Sequence, residues 1–369
     1  MVCVTIASTL LLSNLTFVYA QFFDVYNIAN AGLPSYTIWF VKSAQNDTVF
    51  ISTWGGGLAK FHKNTVTEVF NTSNSILTTD EVTALHFDDA SQSLWIGTEA
   101  GGAYTYQNGI ILDIYTTTNS SLLDNTIYAI DQDSNGDILL GTRYGSVNIF
   151  EPSGTWSILP NGGPVAPNHY TYSLAVNSQD EYYIGTGFGG LYYLDTTNNW
   201  TNWNSFNSSL PSNDIYSIAV ENTGDIWVGS FNGLHHFDGS SWITYQSTNS
   251  GLPADYIRQL KFDKYGLLWI ATFGGGLATF DGNNTWQIYN TTNSNLPHDE
   301  VFSIDFDDKE DLWIGTYGGG LAKLSLGSTS IKDANSPLQN MIVYPNPCSD
   351  FISVDFNYTG KYPIPVSYT

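Results

Sequence analysis

One segment recurs seven times along this 369-residue chain, and that repetition limits the possible folds more than any other feature. Its last two copies are LWIATFGGGLATF (268–280) and LWIGTYGGGLAKL (312–324). Each copy has one hydroxyl residue after a short β-prone run, namely Thr53, Thr98, Thr142, Thr186, Ser230, Thr272 and Thr316. Successive spacings are 45, 44, 44, 44, 42 and 44 residues, which indicates one repeated structural unit.

Each unit is predicted to contain four short strands. In the last unit, Val301–Asp307 alternates apolar and polar residues, and Leu312–Thr316 is a second β-prone run. Gly318–Gly320 allows a tight reversal, because glycine tolerates positive φ, and Leu321–Leu324 is a third strand. The fourth strand has the form of Thr285–Tyr289 in the preceding unit.

Four antiparallel strands repeated seven times predict an all-β, seven-bladed β-propeller. The last unit has no outer strand after Leu324. Phe22–Asn27 resembles an outer strand, yet it stands before the first unit and so has no unit of its own. We expect this N-terminal strand to complete the last blade, because a closed ring leaves no exposed sheet edge. A short β-rich segment is expected to follow the propeller.

Charge and composition exclude several kinds of partner. The chain has 34 acidic residues against 11 basic ones, a net charge of −23, so we expect no nucleic-acid partner. Hydrophobic residues make up 42% of the chain and aromatic residues 15%, which is enough for a large core. No cofactor is predicted, and a monomer is expected.

The first 20 residues are predicted to be a signal peptide, cleaved between Ala20 and Gln21. A buried strand is the alternative for this apolar stretch. Elsewhere no run approaches the 18 or so apolar residues that a membrane-spanning helix needs, so we expect no membrane span.

The repeated pattern, N-x-x-[GN]-L-P followed by D-x-x-G-x-[LI]-W-[IV]-G-T-x-x-G-G, resembles the two-component regulator propeller repeat over residues 22–324. In that family such propellers are usually the periplasmic, ligand-sensing part of hybrid sensor kinases, often responsive to polysaccharides. This sequence contains no kinase segment. The resemblance therefore implies the propeller fold and ligand binding, rather than signalling by this chain alone.

The C-terminal residues resemble a second family. Tyr344, Pro345, Asn346 and Pro347, followed by an alternating strand, resemble the start of the sorting domain of the type IX secretion system. This implies export by that machinery, to the medium or the outer surface of a Gram-negative, Bacteroidota-like bacterium. An unrelated β-hairpin is the alternative. The predicted divisions are a signal peptide (1–20), a propeller (21–325), a linker (326–340) and a partial sorting domain (341–369).

The sequence contains no recognisable catalytic motif, so we expect no enzymatic activity. The chain has two arginines, Arg143 and Arg258, which excludes a sialidase-like site with three. It lacks the Glu-x-His pair that a streptogramin-lyase-like propeller would carry. His235 and His236 are adjacent on a strand and so point to opposite faces, and no metal site is predicted. A polysaccharide lyase or hydrolase remains the alternative, because 34 acids offer many carboxylate pairs.

One face of the predicted disc is a candidate binding surface. The turns between second and third strands and the loops between blades share this face, and they combine rings with Asn, Ser and Thr. The opposite face is expected to carry acids that repel an anionic ligand, namely Asp307, Asp308 and Asp311. The candidate ligand-binding residues are Trp54, Tyr144, His169, Tyr170, Phe188, Phe231, Tyr256, Phe273 and Tyr317. Rings beside amides and hydroxyls suit sugars, and packing between blades is the alternative explanation for these rings. We therefore predict a secreted or surface-displayed, non-catalytic ligand-binding module, with a protein-interaction or adhesion module as a further alternative.

Overall fold

The structure is a computed structural model. It describes residues 23–159, 169–221 and 223–326 in full, together with the backbone of two strands at 338–343 and 354–358. The predicted cleavage site at Ala20 and Gln21 lies outside the described residues, as does the motif Tyr344–Pro347.

The first elements are strand β1 (Phe23–Tyr26) and the one-turn helix α1 (Ile28–Ala31). Blade 1 consists of β2 (Ile38–Ala44), β3 (Thr48–Thr53), β4 (Gly57–His62) and β5 (Thr65–Phe70). Blade 2 consists of β6 (Val82–Asp88), β7 (Ser93–Thr98), β8 (Ala103–Gln107) and β9 (Ile110–Tyr115). Blade 3 consists of β10 (Ile127–Gln132), β11 (Ile138–Thr142), β12 (Val147–Phe150) and β13 (Trp156–Ile158).

Blade 4 consists of β14 (Thr171–Val176), β15 (Tyr182–Thr186), β16 (Gly190–Leu194) and β17 (Trp200–Trp203). Blade 5 consists of β18 (Ile215–Val220), β19 (Ile226–Ser230), β20 (Gly233–Phe237) and β21 (Trp242–Tyr245). Blade 6 consists of β22 (Ile257–Phe262), β23 (Leu268–Thr272), β24 (Gly276–Phe280) and β25 (Trp286–Tyr289). Blade 7 consists of β26 (Val301–Phe306), β27 (Leu312–Thr316), β28 (Gly320–Leu324) and β1.

The N-terminal strand closes the ring. In blade 7 the strand order is β1-β28-β27-β26, and β1 runs antiparallel to β28 with Phe23 opposite Leu324 and Tyr26 opposite Leu321. The predicted seven-bladed propeller and its closure are both confirmed. The sequence predicted no helix, but α1 forms because the Asn27 and Asn30 side chains each accept a hydrogen bond from the other's backbone N–H.

The first strand of each blade, called here the inner strand, contacts the inner strands of both neighbours around the axis. The apolar core lies between blades. At the seam between blades 7 and 1, Tyr26 and Trp313 pack with Phe61, and their ring centroids are 4.9–6.0 Å apart. Each blade therefore depends on its two neighbours to bury its faces.

An acid at the end of the inner strand holds the next turn and the following tryptophan. In blade 7, Asp307 accepts hydrogen bonds from the backbone N–H groups of Lys309 and Asp311 at 3.0 and 2.9 Å, and from the indole N–H of Trp313 at 2.9 Å. The acid that begins the repeated D-x-x-G-x-[LI]-W pattern is therefore structural, because it satisfies backbone donors that would otherwise lack partners.

A glycine is required where strand β28 begins. Gly320 has φ +89°, and a Cβ there would lie 2.3 Å from the carbonyl oxygen of Tyr26 on the closing strand. Gly57 is in the same situation in blade 1, 2.1 Å from the carbonyl oxygen of Phe70. The glycine-rich turns thus let the outer strand approach closely.

Beyond the propeller, β29 (Leu338–Val343) and β30 (Val354–Tyr358) form an antiparallel pair. This agrees with a β-rich segment after the ring, and its predicted role in sorting stays a prediction. Within the parts of the chain that the structure describes, no helix has the length and apolar character needed to cross a membrane.

The middle of the inner strands carries buried charge. Asp305, 3% exposed, is paired with Lys42 at 3.5 Å and with Lys261. Across the ring, burial raises the pKa of Asp131 to about 6 and lowers the pKa of His86 to about 4. The Nδ1 atom of His86 and the carboxylate of Asp131 are 3.8 Å apart.

Deletion of residues 22–27 is expected to lower the melting temperature by about 10 °C or more and to promote association. The deletion removes Phe23 and Tyr26, which are 3% and 8% exposed, and bares the edge of β28. Melting curves and light scattering at several concentrations measure both effects. A chain ending after Leu326 is the control and should melt like the full chain. Unchanged melting of the N-terminal deletion would contradict this account of closure.

Replacement of His86 by Gln is expected to flatten the acid dependence of stability. The depressed pKa means that neutral His86 contributes stability above pH 6.5, and this is lost as pH falls towards 4. The wild type should therefore lose about 2–3 kcal/mol more than His86→Gln between pH 7 and 4.5, measured by denaturant unfolding.

Asp131→Asn is the companion variant for this measurement. The raised pKa of Asp131 means that its protonated form adds stability as pH falls through about 6. Removing that contribution should make the acid loss steeper than in the wild type. Parallel pH profiles for all three proteins would rule out both assignments.

Candidate functional site at the mouth of the central channel

Every inner strand begins with a β-bulge. In all seven blades its register against the second strand shifts between the first and third residues of the inner strand. A bulge leaves the middle residue unpaired and redirects its side chain. We call these seven residues the bulge ring: Trp39, Thr83, Tyr128, Tyr172, Tyr216, Arg258 and Phe302.

The bulge ring lies on the face that carries the candidate residues. The turn residue Trp54 donates its backbone N–H to the carbonyl of Thr37 at 3.1 Å, just before the bulge of blade 1. In blade 6, Phe273 donates in the same way to Tyr256 at 2.9 Å. We call this surface, with the turns after the second strands and the loops between blades, the loop face.

Rings from several blades form continuous contacts on the loop face. Trp39 stacks between Trp54 and Phe302, with centroid distances of 5.0 and 4.8 Å. Phe302 in turn contacts Phe273 at 5.8 Å and Tyr317 at 5.7 Å. Blades 1, 6 and 7 therefore share one cluster of rings.

The contacts continue through blades 5, 4 and 3. Tyr256 lies 5.5 Å from Phe273, 5.1 Å from Phe231 and 5.1 Å from Tyr216. Tyr216 stacks on Tyr172 at 5.1 Å. The remaining centroid distances are 5.6 Å for Tyr172–Tyr170, 6.1 Å for Tyr170–Phe188 and 5.8 Å for Tyr172–Tyr128. We call this whole set of rings the aromatic arc. Its members are Trp39, Trp54, Tyr128, Tyr170, Tyr172, Phe188, Tyr216, Phe231, Tyr256, Phe273, Phe302 and Tyr317.

Blade 2 interrupts the arc. Its bulge residue is Thr83, and its turn, which begins with Glu99, contains no ring, whereas each of the other six turns contains one. Burial and the nearby Glu99 raise the pKa of Glu81 on the adjoining loop. The channel mouth is therefore asymmetric, because six blades contribute rings whereas blade 2 contributes Thr83 and two acids.

Arg258 sits inside the arc. Its guanidinium carbon is 4.7 Å from the Phe302 centroid and 5.5 Å from that of Tyr256, and Nη1 donates to the Tyr256 hydroxyl at 2.8 Å. Its buried Nε has no hydrogen-bond partner among the described residues. Rings of this kind stabilise a cation by cation–π attraction. Arg143, the chain's other arginine, lies beside Tyr144 at 5.9 Å on the same face.

The rings differ in exposure between the inside and the rim of the mouth. Phe302 is 7% exposed, whereas Trp54 is 54%, Phe188 60%, Phe231 59% and Tyr317 46% exposed. Packing between blades accounts for the inner rings but leaves the faces of the rim rings available to a ligand.

The structure brings seven of the nine predicted residues together. These are Trp54, Tyr170, Phe188, Phe231, Tyr256, Phe273 and Tyr317. Tyr144 is 51% exposed and lies beside Arg143. His169 is half-buried next to Tyr192 at 6.4 Å, and burial lowers its pKa.

The sequence reasoning missed the bulge ring itself. Its signal was present, because a ring follows the first residue of the inner strand in five of the seven units. Strict strand alternation gave no reason to group these positions, and the bulges that turn them to the mouth are not visible in the sequence.

The polar residues of the interblade loops mostly stabilise the loops. In the loop after blade 6, Asn293 accepts the backbone N–H of Asn290 at 2.9 Å and donates to the carbonyl of Ile288 at 3.0 Å. Asp299 closes the same loop by accepting the N–H of Thr291 at 2.7 Å. Equivalent Asn bonds recur after blades 1, 2, 4 and 5, so these amides are already engaged.

Two of the three acids expected on the opposite face are buried. Asp307 and Asp311, predicted to be acids on that face, are 7% and 8% exposed, and both pair with Lys323. A cleft of about 290 Å³ at the seam of blades 7 and 1 also has Lys63 and Lys309 in its lining. Of the three acids expected there, Asp308 is exposed.

One Ser–His contact has the form of a nucleophile and its base but is inaccessible. Ser230 Oγ lies 2.8 Å from His235 Nε2, and the other ring nitrogen of His235 is 3.0 Å from Thr244. Ser230 and His235 are fully buried, and burial lowers the pKa of His235 to about 4. No substrate can reach this pair, which packs strands of blade 5 together.

Three segments match the family described as two component regulator propeller, at residues 121–144, 209–232 and 251–274. The chain thus contains two-component regulator propeller repeats, as the sequence pattern indicated. No curated protein matches the chain significantly.

Solved structures share the fold at low identity. The extracellular domain of a hybrid two-component system from B. thetaiotaomicron is 21% identical, with a TM-score of 0.67, over 83% of this chain and 42% of that one. PorZ, a surface component of the type IX secretion system of Porphyromonas gingivalis, is 18% identical, with a TM-score of 0.64, over 88% of this chain and 51% of that one.

A lyase shares the same architecture. Virginiamycin B lyase from Staphylococcus aureus is 14% identical, with a TM-score of 0.66, over 82% of this chain and 99% of that one. This chain therefore spans the lyase but only about two-fifths to one-half of the other two proteins. The three likenesses show the fold alone, a seven-bladed β-propeller, and the two-component regulator type of repeat is shown by the three matched segments.

Proposed function

We propose that this protein is a non-catalytic, sensor-like propeller that binds a carbohydrate chain at the mouth of its channel. The observation that carries the proposal is the aromatic arc, a continuous line of rings whose rim members Trp54, Phe188, Phe231 and Tyr317 are about half exposed. Rings exposed side by side on a rigid scaffold are characteristic of a binding surface rather than of a monomer's ordinary exterior.

The chemistry of the arc fits sugar rings. Sugars present apolar C–H faces that stack on aromatic rings and hydroxyls that need hydrogen-bond partners. The arc supplies phenol groups, and burial raises the pKa of Tyr172 to about 12 and raises that of Tyr216 as well, so both stay neutral near pH 7. Neutral phenols both donate and accept hydrogen bonds.

Arg258 adds a preference within this class. Its guanidinium is a cation within the arc, and charge-assisted bonds to a carboxylate are stronger than neutral ones. Acidic oligosaccharides should therefore bind more tightly than neutral ones of the same length. The acidic gap at blade 2, with Glu81 and Glu99, should direct the anionic groups of such a ligand away from that side.

The location outside the cell is part of the same proposal. It is supported by the likeness to an extracellular sensor domain and to a surface component, and by the predicted signal peptide and sorting motif. We propose export by type IX secretion through residues 341–369, whose motif is Tyr344–Pro347.

Trp54→Ala and Tyr317→Ala are each expected to weaken oligosaccharide binding about three- to tenfold, because a stacked ring contributes about 0.5–1.5 kcal/mol. Calorimetry with matched acidic and neutral oligosaccharides measures the loss. Tyr265→Ala is the control, since Tyr265 is 77% exposed in the blade-6 turn on the opposite face. Arg258→Gln should reduce the preference for acidic ligands.

Three results would overturn the carbohydrate proposal. The first is absence of binding across a polysaccharide panel, and the second is equal weakening of binding by Tyr265→Ala. The third is release of reducing or unsaturated ends by the purified protein, which would establish the lyase or hydrolase alternative. Binding of a surface protein instead would favour the adhesion alternative.

Removal of residues 327–369 is expected to abolish surface delivery in a host with type IX secretion while the propeller still melts cooperatively. Cell-surface labelling and thermal unfolding measure the two properties. A chain with Tyr344, Pro345, Asn346 and Pro347 all replaced by Ala tests the motif without truncation. Normal delivery of both variants would exclude the segment as a sorting signal.

A further inference from the structure

Three potential metal ligands meet on blade 5, where the first turn of the blade approaches strand β20. One carboxylate oxygen each from Glu221 and Asp225 and a ring nitrogen of His236 all lie within 4.8 Å of one another. Asp225 Oδ2 and His236 Nε2 are 2.9 Å apart. We propose that these three residues form a binding site for a divalent metal ion of the zinc class.

Distances of this size suit one metal ion. Zinc is bound at about 2.0–2.2 Å by imidazole nitrogen and carboxylate oxygen, so tetrahedral ligands lie about 3.4 Å apart. Small side-chain rotations bring the three atoms from their observed spacing to that value. The three side chains are half-buried, which leaves room for water in the fourth position.

A buried tryptophan positions two of the three ligands. Trp227, 2% exposed, donates its indole N–H to Glu221 Oε1 at 2.6 Å. Its ring also stacks on the imidazole of His236 at 4.1 Å with an angle of 15°. Contacts of this kind fix the orientation of ligands and raise metal affinity. The second oxygen of Glu221 accepts a longer hydrogen bond from the Thr223 hydroxyl at 3.3 Å, and Nε2 of His236 faces Asp225.

Blade 7 gives an independent indication that a cation belongs there. By repeat position, Asp307 and Asp311 correspond to Glu221 and Asp225, and Lys323 corresponds to His236. The registers agree, since Lys323 is opposite Trp313 as His236 is opposite Trp227.

In blade 7 the ammonium of Lys323 lies 2.8 Å from Asp311 and 3.5 Å from Asp307, and 4.9 Å from the centroid of Trp313. The blade therefore fills the space between two carboxylates with its own positive charge. Blade 5 keeps both carboxylates but replaces lysine with histidine, which is a metal ligand when neutral. The missing charge is what a divalent ion would supply.

The donor set selects the class of metal. One imidazole with two carboxylates favours Zn²⁺ and neighbouring first-row ions over Mg²⁺ and Ca²⁺, which take all-oxygen sites with more ligands. The site involves the first turn of blade 5, on the side of the disc away from the loop face, so it does not depend on carbohydrate binding. A bound ion would join this turn to strand β20 and stabilise the blade.

The test uses the full, tag-free chain after treatment with EDTA, titrated with ZnCl2 in a calorimeter, with MgCl2 as the comparison. We expect one equivalent of Zn²⁺ to bind and the melting temperature to rise by several degrees at saturation. Mg²⁺ should give neither effect. Absence of saturable Zn²⁺ binding, or equal binding of Mg²⁺, overturns the proposal.

Variants locate the site. His236→Lys copies blade 7, so it should abolish the one-equivalent binding and leave the metal-free chain at least as stable as the wild type. Glu221→Gln keeps an acceptor for Trp227 but loses the charge, and should weaken Zn²⁺ at least tenfold even if His236→Lys fails to fold. His298→Gln, on the loop face, is the matched control and should bind normally. Wild-type affinity in Glu221→Gln would show that Zn²⁺ binds elsewhere.

Discussion

The pairing of β1 with β28 is the constraint on which the rest of the structure depends. Each blade buries its faces against two neighbours, so one open seam would expose two apolar faces at once. At that seam Tyr26 and Trp313 of blade 7 pack against Phe61 of blade 1. Closure by a strand from the other end of the chain holds these faces together and fixes the position of every inner strand around the axis.

Closure also creates the candidate site. Seven equivalent bulges present one side chain each to the same opening, so a change at a single repeat position alters the mouth. In this chain that position carries rings in five blades, Arg258 in blade 6 and Thr83 in blade 2. A fixed scaffold with one variable residue per blade is a simple physical route to an asymmetric binding surface. The polar loops contribute less than expected, since Asn293 and its equivalents bind their own backbone.

Carboxylates are concentrated at the blade turns, and different blades balance this negative charge in different ways. Acids at the blade turns are needed to accept backbone and indole N–H groups, and this concentrates negative charge in a chain of net charge −23. Lys323 balances two such acids in blade 7, whereas His236 faces the equivalent pair in blade 5. Carboxylates that are even partly buried are costly without compensation, which is why the difference between these two blades has chemical meaning.

The sequence alone determined the seven units, their strands and the closing role of residues 22–27, because these follow from local periodicity and from one missing strand matched by one extra strand. Only the tertiary structure decided which side chains meet. Trp39 contacts Phe302, and Asp225 contacts His236, through ring closure and cross-strand register rather than sequence proximity. For the same reason Tyr144 and His169 matched the candidate pattern, yet packing places them beside Arg143 and Tyr192 instead of in the aromatic arc.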